Sequence, residues 1–360
     1  MGMGIAAEDD TLPLLRQSER AAFKRCNWAW YQGYVRNLVP RVEKWATAAE
    51  FGTGIHWALA EYYQPGKVRG PHPADTFDAW AKDYIAKIKT QEIVDGELVD
   101  KWIDFRELGV NLMEAYVDHY GGDPHWDVLD AERRFSVVIP DVRYKPIKSE
   151  KGKRGYRPIC NLVGTFDLVY RDCNDGLVKM TDHKTCAAIS TSHLTLDEQA
   201  STYIAIATHA LRTQGLIGDK EVVKGMEYNF IRKGKIDTRP TNSLGERLNK
   251  DGSVSKQQGS PLFMRYFVPR TPAERQRQIV RISEEARVMD DVREGRLPLL
   301  KTPTRDCPFC KMFDLCELDE SGLDTEYFIE TTMKVADPYH DHREGADNSK
   351  RVADGSQIEG

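Results

Sequence analysis

The sequence predicts an α/β fold, with a mixed central sheet flanked by helices and a helical N-terminal region. Three observations carry this expectation. The first 130 residues hold four segments whose apolar residues recur at spacings of three and four, the period of a helix facing a core. At about residue 131 the pattern changes to short apolar runs rich in Val, Ile, Phe and Tyr, which suit strands. Beyond residue 190 helix and strand signals alternate, as they do where helices cover a sheet.

In chain order, a helix is expected over 12–38 around "SERAAFKRCNWAWYQGYV", and a second over 41–63 with "FGTGIHWALAEYY" at its centre. "PADTFDAWAKDYIAKIK" and "ELVDKWIDFRELGVNLMEAYVDHY" give two more. "ERRFSVVIP" reads as the first strand, and a basic loop follows. "ICNLVGTFDLVYRD" and "LVKMTDHKT" flank the turn signal "CNDG", a hairpin. Residues 193–213 return to helix, and "VVKGMEYNFIR" and "PLFMRYFVP" are strands joined by a polar loop. "TPAERQRQIVRISEEARVMDDVREG" is a long helix with a Thr-Pro start. These shifts divide the chain into a helical region (1–130), a core ending in a cysteine-rich loop (131–318), and an acidic tail (319–360) expected to lack fixed structure.

A chain of 360 residues suits one large domain or two ordinary ones. No apolar run approaches the roughly 20 residues of a membrane span, and "MGMGIAAEDD" lacks a hydrophobic signal core. A cytoplasmic protein with no membrane partner is therefore expected. Seven cysteines, an odd number, argue against a disulfide framework. The net charge is −5, but residues 319–360 carry 11 acids and 4 bases, so the other 318 residues stand at about +2. A nucleic-acid partner thus stays open.

The hairpin concentrates chemistry. With its turn centred on Asn174 and Asp175, Asp167 lies opposite Asp182, and Lys184 points to the same face as Asp182. Both acids sit in apolar strands, where an unpaired carboxylate is costly, so a cation must meet them. A hard divalent ion such as Mg²⁺ fits the oxygen ligands, and an Asp–Lys ion pair across the hairpin fits as well.

Four short patterns occur in order: "GTGIH" (Gly52 to His56), "GTFD" (Gly164 to Asp167), "DHK" (Asp182 to Lys184) and "QASTY" (Gln199 to Tyr203). The set resembles the PD-(D/E)XK nuclease superfamily, and within it the RecB-like branch. The resemblance implies a restriction-endonuclease-like fold and metal-dependent cleavage of DNA, using Mg²⁺ or Mn²⁺. It implies that His56, Asp167, Asp182 and the backbone carbonyl of His183 hold the metal, and that Lys184 acts on the attacking water or the phosphate charge. Glu132 would help hold a second ion. Gln199 and Tyr203, four apart on one helical face, would contact substrate or order the site. One departure is Asp182, where the branch more often has Glu.

"CPFCKMFDLC" holds three cysteines spaced C-x2-C-x5-C. Cys160, Cys173 and Cys186 sit in or beside the hairpin and read as core filler, whereas Cys26 stands in a helix with no evident need of a thiol. One cysteine before the core and three after it resemble the iron–sulfur nucleases of the same branch, such as AddB and the CRISPR-associated RecB-like exonucleases. The resemblance implies a [4Fe–4S] cluster on Cys26, Cys307, Cys310 and Cys316, clasping the two ends of the domain. A four-cysteine zinc site shares the spacing.

The basic loop "RYKPIKSEKGKRGYR" (143–157) has seven bases, one acid and two tyrosines, a mixture that suits a single strand of DNA. Lys148, Lys151, Lys153 and Arg154 are its candidate contacts. A solvated hairpin tip is the alternative. The reading that follows is an exonuclease favouring single-stranded or duplex DNA ends, working in recombination, repair, replication or CRISPR-type processing. The rival is a non-catalytic iron–sulfur DNA-binding or scaffold subunit, and the intact His–Asp–Asp–Lys set argues against it. The chain has no G-x-x-x-x-G-K-[ST], so a helicase partner would be a separate polypeptide, as would a recombinase or a CRISPR-adaptation protein.

Overall fold

The break in the first expected helix decides the layout of the N-terminus. In the computed structural model, which describes residues 11–41, 47–90, 96–144, 147–148, 154–155 and 157–343, the chain opens with β1 (Leu14–Leu15) and α1 (Gln17–Arg25). The backbone then turns extended at Cys26 (φ −163°, ψ 109°) before α2 (Asn27–Trp30) and a π-turn over Tyr31–Val35. The break is held from far along the chain. The Trp28 N–H donates to the Leu300 carbonyl at 3.1 Å, and the Leu300 N–H donates to Asn27 Oδ1 at 2.5 Å. No local signal marks it, so periodicity alone reads one helix.

β2 (Leu38–Pro40) leads to three long helices, α3 (Thr47–Tyr62), α4 (Pro73–Lys89) and α5 (Gly96–Tyr120). The strand expected from residue 132 begins earlier, as β3 (Trp126–Pro140). The basic loop carries a small ladder of β4 (Ile147–Lys148) and β5 (Arg154–Gly155). The hairpin is β6 (Pro158–Asp172) and β7 (Val178–Cys186), followed by α6 (Glu198–Thr213) and β8 (Val223–Arg232). β9 (Phe263–Pro269) and α7 (Pro272–Arg293) complete the core, and the Thr271–Glu274 capping box starts α7 where the Thr-Pro signal placed it.

β6 is the spine of a six-stranded mixed sheet. It pairs antiparallel with β3 along one edge, and on the other with β7 and, in parallel, with β1. β7 and β8 run parallel, joined across one face by α6, and β9 closes the far edge antiparallel to β8. The hairpin register pairs Leu168 with Thr181 and Arg171 with Val178, so the next pair outward is Asp167 and Asp182, as the turn predicts.

Helices cover both faces. α3, α4 and α5 bury Phe51, Ile55, Phe77 and Trp102 with Leu168 and Tyr170 of the sheet, while α6 and α7 bury Ile204, Ile282 and Met289 with Phe166, Val169 and Met226. Each such side chain contributes about 1.5–3 kcal/mol on leaving water, so the two layers fix the sheet that carries the hairpin.

The acidic segment departs from expectation. Residues 319–343 are folded into the end of α8 (Phe313–Glu320), α9 (Thr325–Thr332), β10 (Met333–Val335) and α10 (His340–Arg343). β10 pairs with β2, and Met333 buries with Trp28, Leu38, Met312 and Leu315. A few apolar residues, spaced among the acids, are enough to dock it. Residues 344–360 lie outside the described residues. Among the described residues, no helix is long and apolar enough to cross a membrane.

Candidate active site

The site is built by three elements that meet at the hairpin. α3 approaches β7 closely at Gly52, where a Cβ would stand 3.1 Å from Thr185 Oγ1, and one turn later His56 reaches the strands. Its Nε2 lies 2.7 Å from the backbone carbonyl oxygen of His183. That carbonyl accepts the Nε2 hydrogen and leaves Nδ1 facing carboxylates: Asp167 Oδ2 at 3.4 Å and Glu132 Oε1 at 3.7 Å. Gly164, at the start of "GTFD", is needed for a second close approach, because a Cβ there would fall 2.6 Å from the Phe135 ring.

Glu132 stands across from Asp167, between the pairs Ala131–Leu168 and Arg133–Phe166. Its φ is +47°, a left-handed backbone unusual for Glu in a strand. Such strain persists where the surroundings impose it, and it clusters at functional sites.

Asp182 and Lys184 complete the group from β7. Lys184 Nζ lies 2.7 Å from Asp182 Oδ2 and donates to Gln199 Oε1 at 3.1 Å. Gln199 Nε2 in turn donates to Asp182 Oδ1 at 2.7 Å, so this side chain from the first turn of α6 ties both residues together. The His183 N–H donates to Asp167 Oδ2 at 2.8 Å, which locks Asp167 to the neighbouring strand. Tyr203, one turn beyond Gln199, packs edge-on against Phe135 and Phe166, with ring centroids at 5.4 and 5.6 Å.

The electrostatics are those of a site short of positive charge. Burial drives Asp167 upward, although His56 opposes it, and drives Asp182 up to about 6 against the pull of Lys184. Burial would neutralise His56, but Asp167 and Glu132 overcome it and push the imidazole up to about 9. Burial would likewise deprotonate Lys184, and Asp182 holds it above its ordinary value instead. Three carboxylates thus draw protons onto both nearby bases.

The ligand atoms of His56, Glu132 and Asp167 all lie within 4.8 Å of one another. Two carboxylates and an imidazole form a hard, oxygen-rich set that fits Mg²⁺ or Mn²⁺. The group differs from the expected one in membership. Glu132, the candidate for a second ion, belongs to it, while Asp182 sits beside it in the pair with Lys184, and the His183 carbonyl serves His56.

A buried polar chain behind the site went unread in the sequence. His183 Nδ1 accepts from Asn229 Nδ2 at 2.8 Å, and the same amide donates to Tyr116 Oη at 2.9 Å. Tyr116 and Tyr63 hydroxyls meet at 3.0 Å, and Tyr63 donates to Asp123 Oδ2 at 2.6 Å. Arg265 closes the chain with bonds of 2.6 and 2.7 Å to both oxygens of Asp123. The available signal was an arginine in the apolar strand "FMRYFVP", which demands a buried partner.

The four cysteines Cys26, Cys307, Cys310 and Cys316 line one small cavity of about 50 Å³, on the side where Leu300 meets the Cys26 break. Among the described residues, no three cysteine sulfurs stand within 4.8 Å of one another. Of the other three, Cys160 is buried as expected for core filler, Cys186 is half-buried, and Cys173 is exposed in the hairpin turn, where filling a core is not its role. In the basic loop, Lys148 pairs with Arg154 across the β4–β5 ladder, and Lys151 and Lys153 lie outside the described residues.

A family model described as the PD-(D/E)XK nuclease superfamily matches residues 16–317. No curated protein matches the chain.

Proposed function

The chain belongs to the PD-(D/E)XK nuclease superfamily, and from that premise we propose that it is a metal-dependent deoxyribonuclease of the RecB-like, iron–sulfur branch, acting on single-stranded or duplex DNA ends. The observation that carries the nuclease reading is the meeting of His56, Glu132 and Asp167 within 4.8 Å, beside the Asp182–Lys184 pair. His56, Asp167 and Asp182 would hold the ion, with Glu132 and the His183 carbonyl as further oxygen donors. When bound, Mg²⁺ or Mn²⁺ would polarise the scissile phosphate and supply an activated water.

The chain's own groups do the rest. Lys184 brings positive charge to the place where phosphate charge develops. Gln199 keeps Lys184 and Asp182 in register, and the His183 N–H keeps Asp167 turned toward His56. Tyr203 and the basic 143–157 hairpin, with Lys148, Lys151, Lys153 and Arg154, would bind the strand. An anaerobic assay on end-labelled linear DNA and on circular DNA tests this. Mg²⁺- or Mn²⁺-dependent loss of label from linear strands is expected, and no cleavage with either ion would refute it.

The four cysteines that line one cavity are the ones the resemblance assigns to a [4Fe–4S] cluster, and a four-cysteine zinc site is the alternative. The cluster would clasp the Cys26 break to the loop at Cys307–Phe309 and to Cys316 on α8. Anaerobically purified protein should be brown, with about four irons and four sulfides per chain. A colourless protein with stoichiometric zinc would refute the cluster.

A further inference from the structure

The first turn of α6 carries the side chain that joins two members of the candidate site. Gln199 accepts from Lys184 and donates to Asp182, so the position of this turn decides how those two groups stand. Asp197, Glu198 and Gln199 also line a cavity of about 650 Å³ that reaches Asp167 and Tyr203. On that side the turn is open, and its position must be set from the protein side.

The flank of the turn is held by α1, where Lys24 pairs with Glu198 and Arg20 Nη1 donates to Thr202 Oγ1 at 2.9 Å. The start of the helix is held at one oxygen. Asp197 Oδ1 caps α6 by accepting the Ala200 N–H at 2.8 Å, and it also accepts the Tyr228 hydroxyl at 2.6 Å. Tyr228 comes from β8, where it pairs with Asp182 across the parallel strands. Its side chain is buried, and its ring lies 5.9 Å from Lys184 Nζ. Tyr228 therefore meets the Asp182–Lys184–Gln199 group at two points, with its ring beside the ammonium and its hydroxyl at the turn that bears Gln199.

A core position needs only the ring. Two residues on, Phe230 fills such a position and stacks with Tyr228 at a centroid distance of 5.8 Å. A buried hydroxyl is costly unless it is bonded, and a short bond to a carboxylate is among the stronger ones a side chain forms. This bond closes a ring of contacts that runs from β8 to Asp197, along α6 to Gln199, across to Asp182 and Lys184, and back through β7 to β8. Groups held in that way need little rearrangement when charge develops at a phosphate.

We propose that Tyr228 is a positioning residue for cleavage, which acts through Asp197 and Gln199 to hold Lys184 and Asp182 in their reactive arrangement. The proposal rests on the nuclease reading and adds to it a residue that lies outside the four ordered motifs.

Full-length wild-type protein, Tyr228→Phe, Gln199→Ala and the double variant are compared on end-labelled linear DNA with Mn²⁺, by single-turnover and steady-state rates and by melting. Tyr228→Phe keeps the ring and removes only the bond to Asp197. Its rate at saturating DNA should fall by about 10- to 100-fold, the cost of a small misplacement of reacting groups. KM for DNA should hold, so that kcat and kcat/KM fall together. In the Gln199→Ala background, Tyr228→Phe should lower the rate no further, because the two residues act in one line.

A wild-type rate in Tyr228→Phe would overturn the proposal and leave the nuclease reading standing. So would losses in the two single variants that multiply independently in the double variant. A Tyr228→Phe protein that fails to fold, or melts lower while its folded fraction cuts at the wild-type rate, would make Tyr228 a core support and nothing more. Wild-type protein that cuts no strand would overturn the nuclease reading, and this role with it.

Discussion

Two charge clusters, one buried and one half-buried, stand at the ends of one polar chain, and they are built to opposite plans. At one end, Arg265 meets Asp123 through two short bonds, Tyr63 and Tyr116 supply hydroxyls, and the Tyr120 and Trp126 rings cover the guanidinium at 3.6 and 4.2 Å. At the other, Asp167, Asp182 and Glu132 share His56 and Lys184 and remain short of positive charge. The first cluster is closed upon itself. The second borders a cavity. Burial of charge alone therefore does not mark function in this protein. Charge left unbalanced beside an opening does.

Substitutions should separate the two. The largest effect is expected on activity: Lys184→Ala or Asp182→Ala should lower cleavage by on the order of 10³-fold, measured as single-turnover rates on labelled DNA. Melting should stay close to wild type in Asp182→Ala, which removes one of the crowded carboxylates, and should fall in Lys184→Ala, which leaves Asp182 buried without its cation. Undiminished cleavage in both variants would show that the chemistry lies elsewhere. The Arg265 cluster should answer in reverse. Arg265→Met leaves Asp123 buried without its cation and should cost about 3–5 kcal/mol in denaturant unfolding. The folded fraction should keep its metal requirement.

Between the clusters lies Asn229, the joint of the chain. Its amide holds the His183 ring, and His183 holds His56 through the backbone carbonyl. Asn229→Ala should raise the metal concentration needed for half-maximal activity by about 10- to 100-fold, the usual cost of losing a support behind a metal ligand. Isothermal titration with Mn²⁺ checks it independently of turnover. A variant that is less stable but binds metal normally would make the chain a purely structural strut.

How much of this was legible in the sequence depends on the range of its causes. The Asp167–Asp182 pairing could be read because the Asn174–Asp175 turn and two apolar strands are local and fix each other's register. The break at Cys26 could not, because its cause is Leu300, 274 residues away by the Cys26–Leu300 contact. Asn229 meets His183 only through the parallel pairing of β7 with β8, which needs the α6 crossover to be in place. The acidic segment was misread for a related reason. Its composition argued for no structure, while Met333 and the β2–β10 pairing supplied a tertiary reason to fold. The motif positions were visible as an ordered set, but the strain at Glu132 exists only in three dimensions.

The smallest expected effect sharpens the contrast most. Glu132 combines a left-handed backbone with a carboxylate that faces Asp167 across two strands. Glycine adopts that backbone without penalty, so Glu132→Gly should relieve about 1 kcal/mol of strain and remove a like charge from Asp167. In the metal-free protein both changes favour the fold, and the variant should unfold at higher denaturant than wild type. With Mn²⁺ present the order should invert, because wild type gains binding energy that the variant has lost. A site that is stabilised by removing one of its own residues, and only when no metal is present, is organised for an occupant. Should Glu132→Gly instead be destabilised with and without metal, Glu132 is a structural member of β3, and the strained carboxylate has no part in holding an ion.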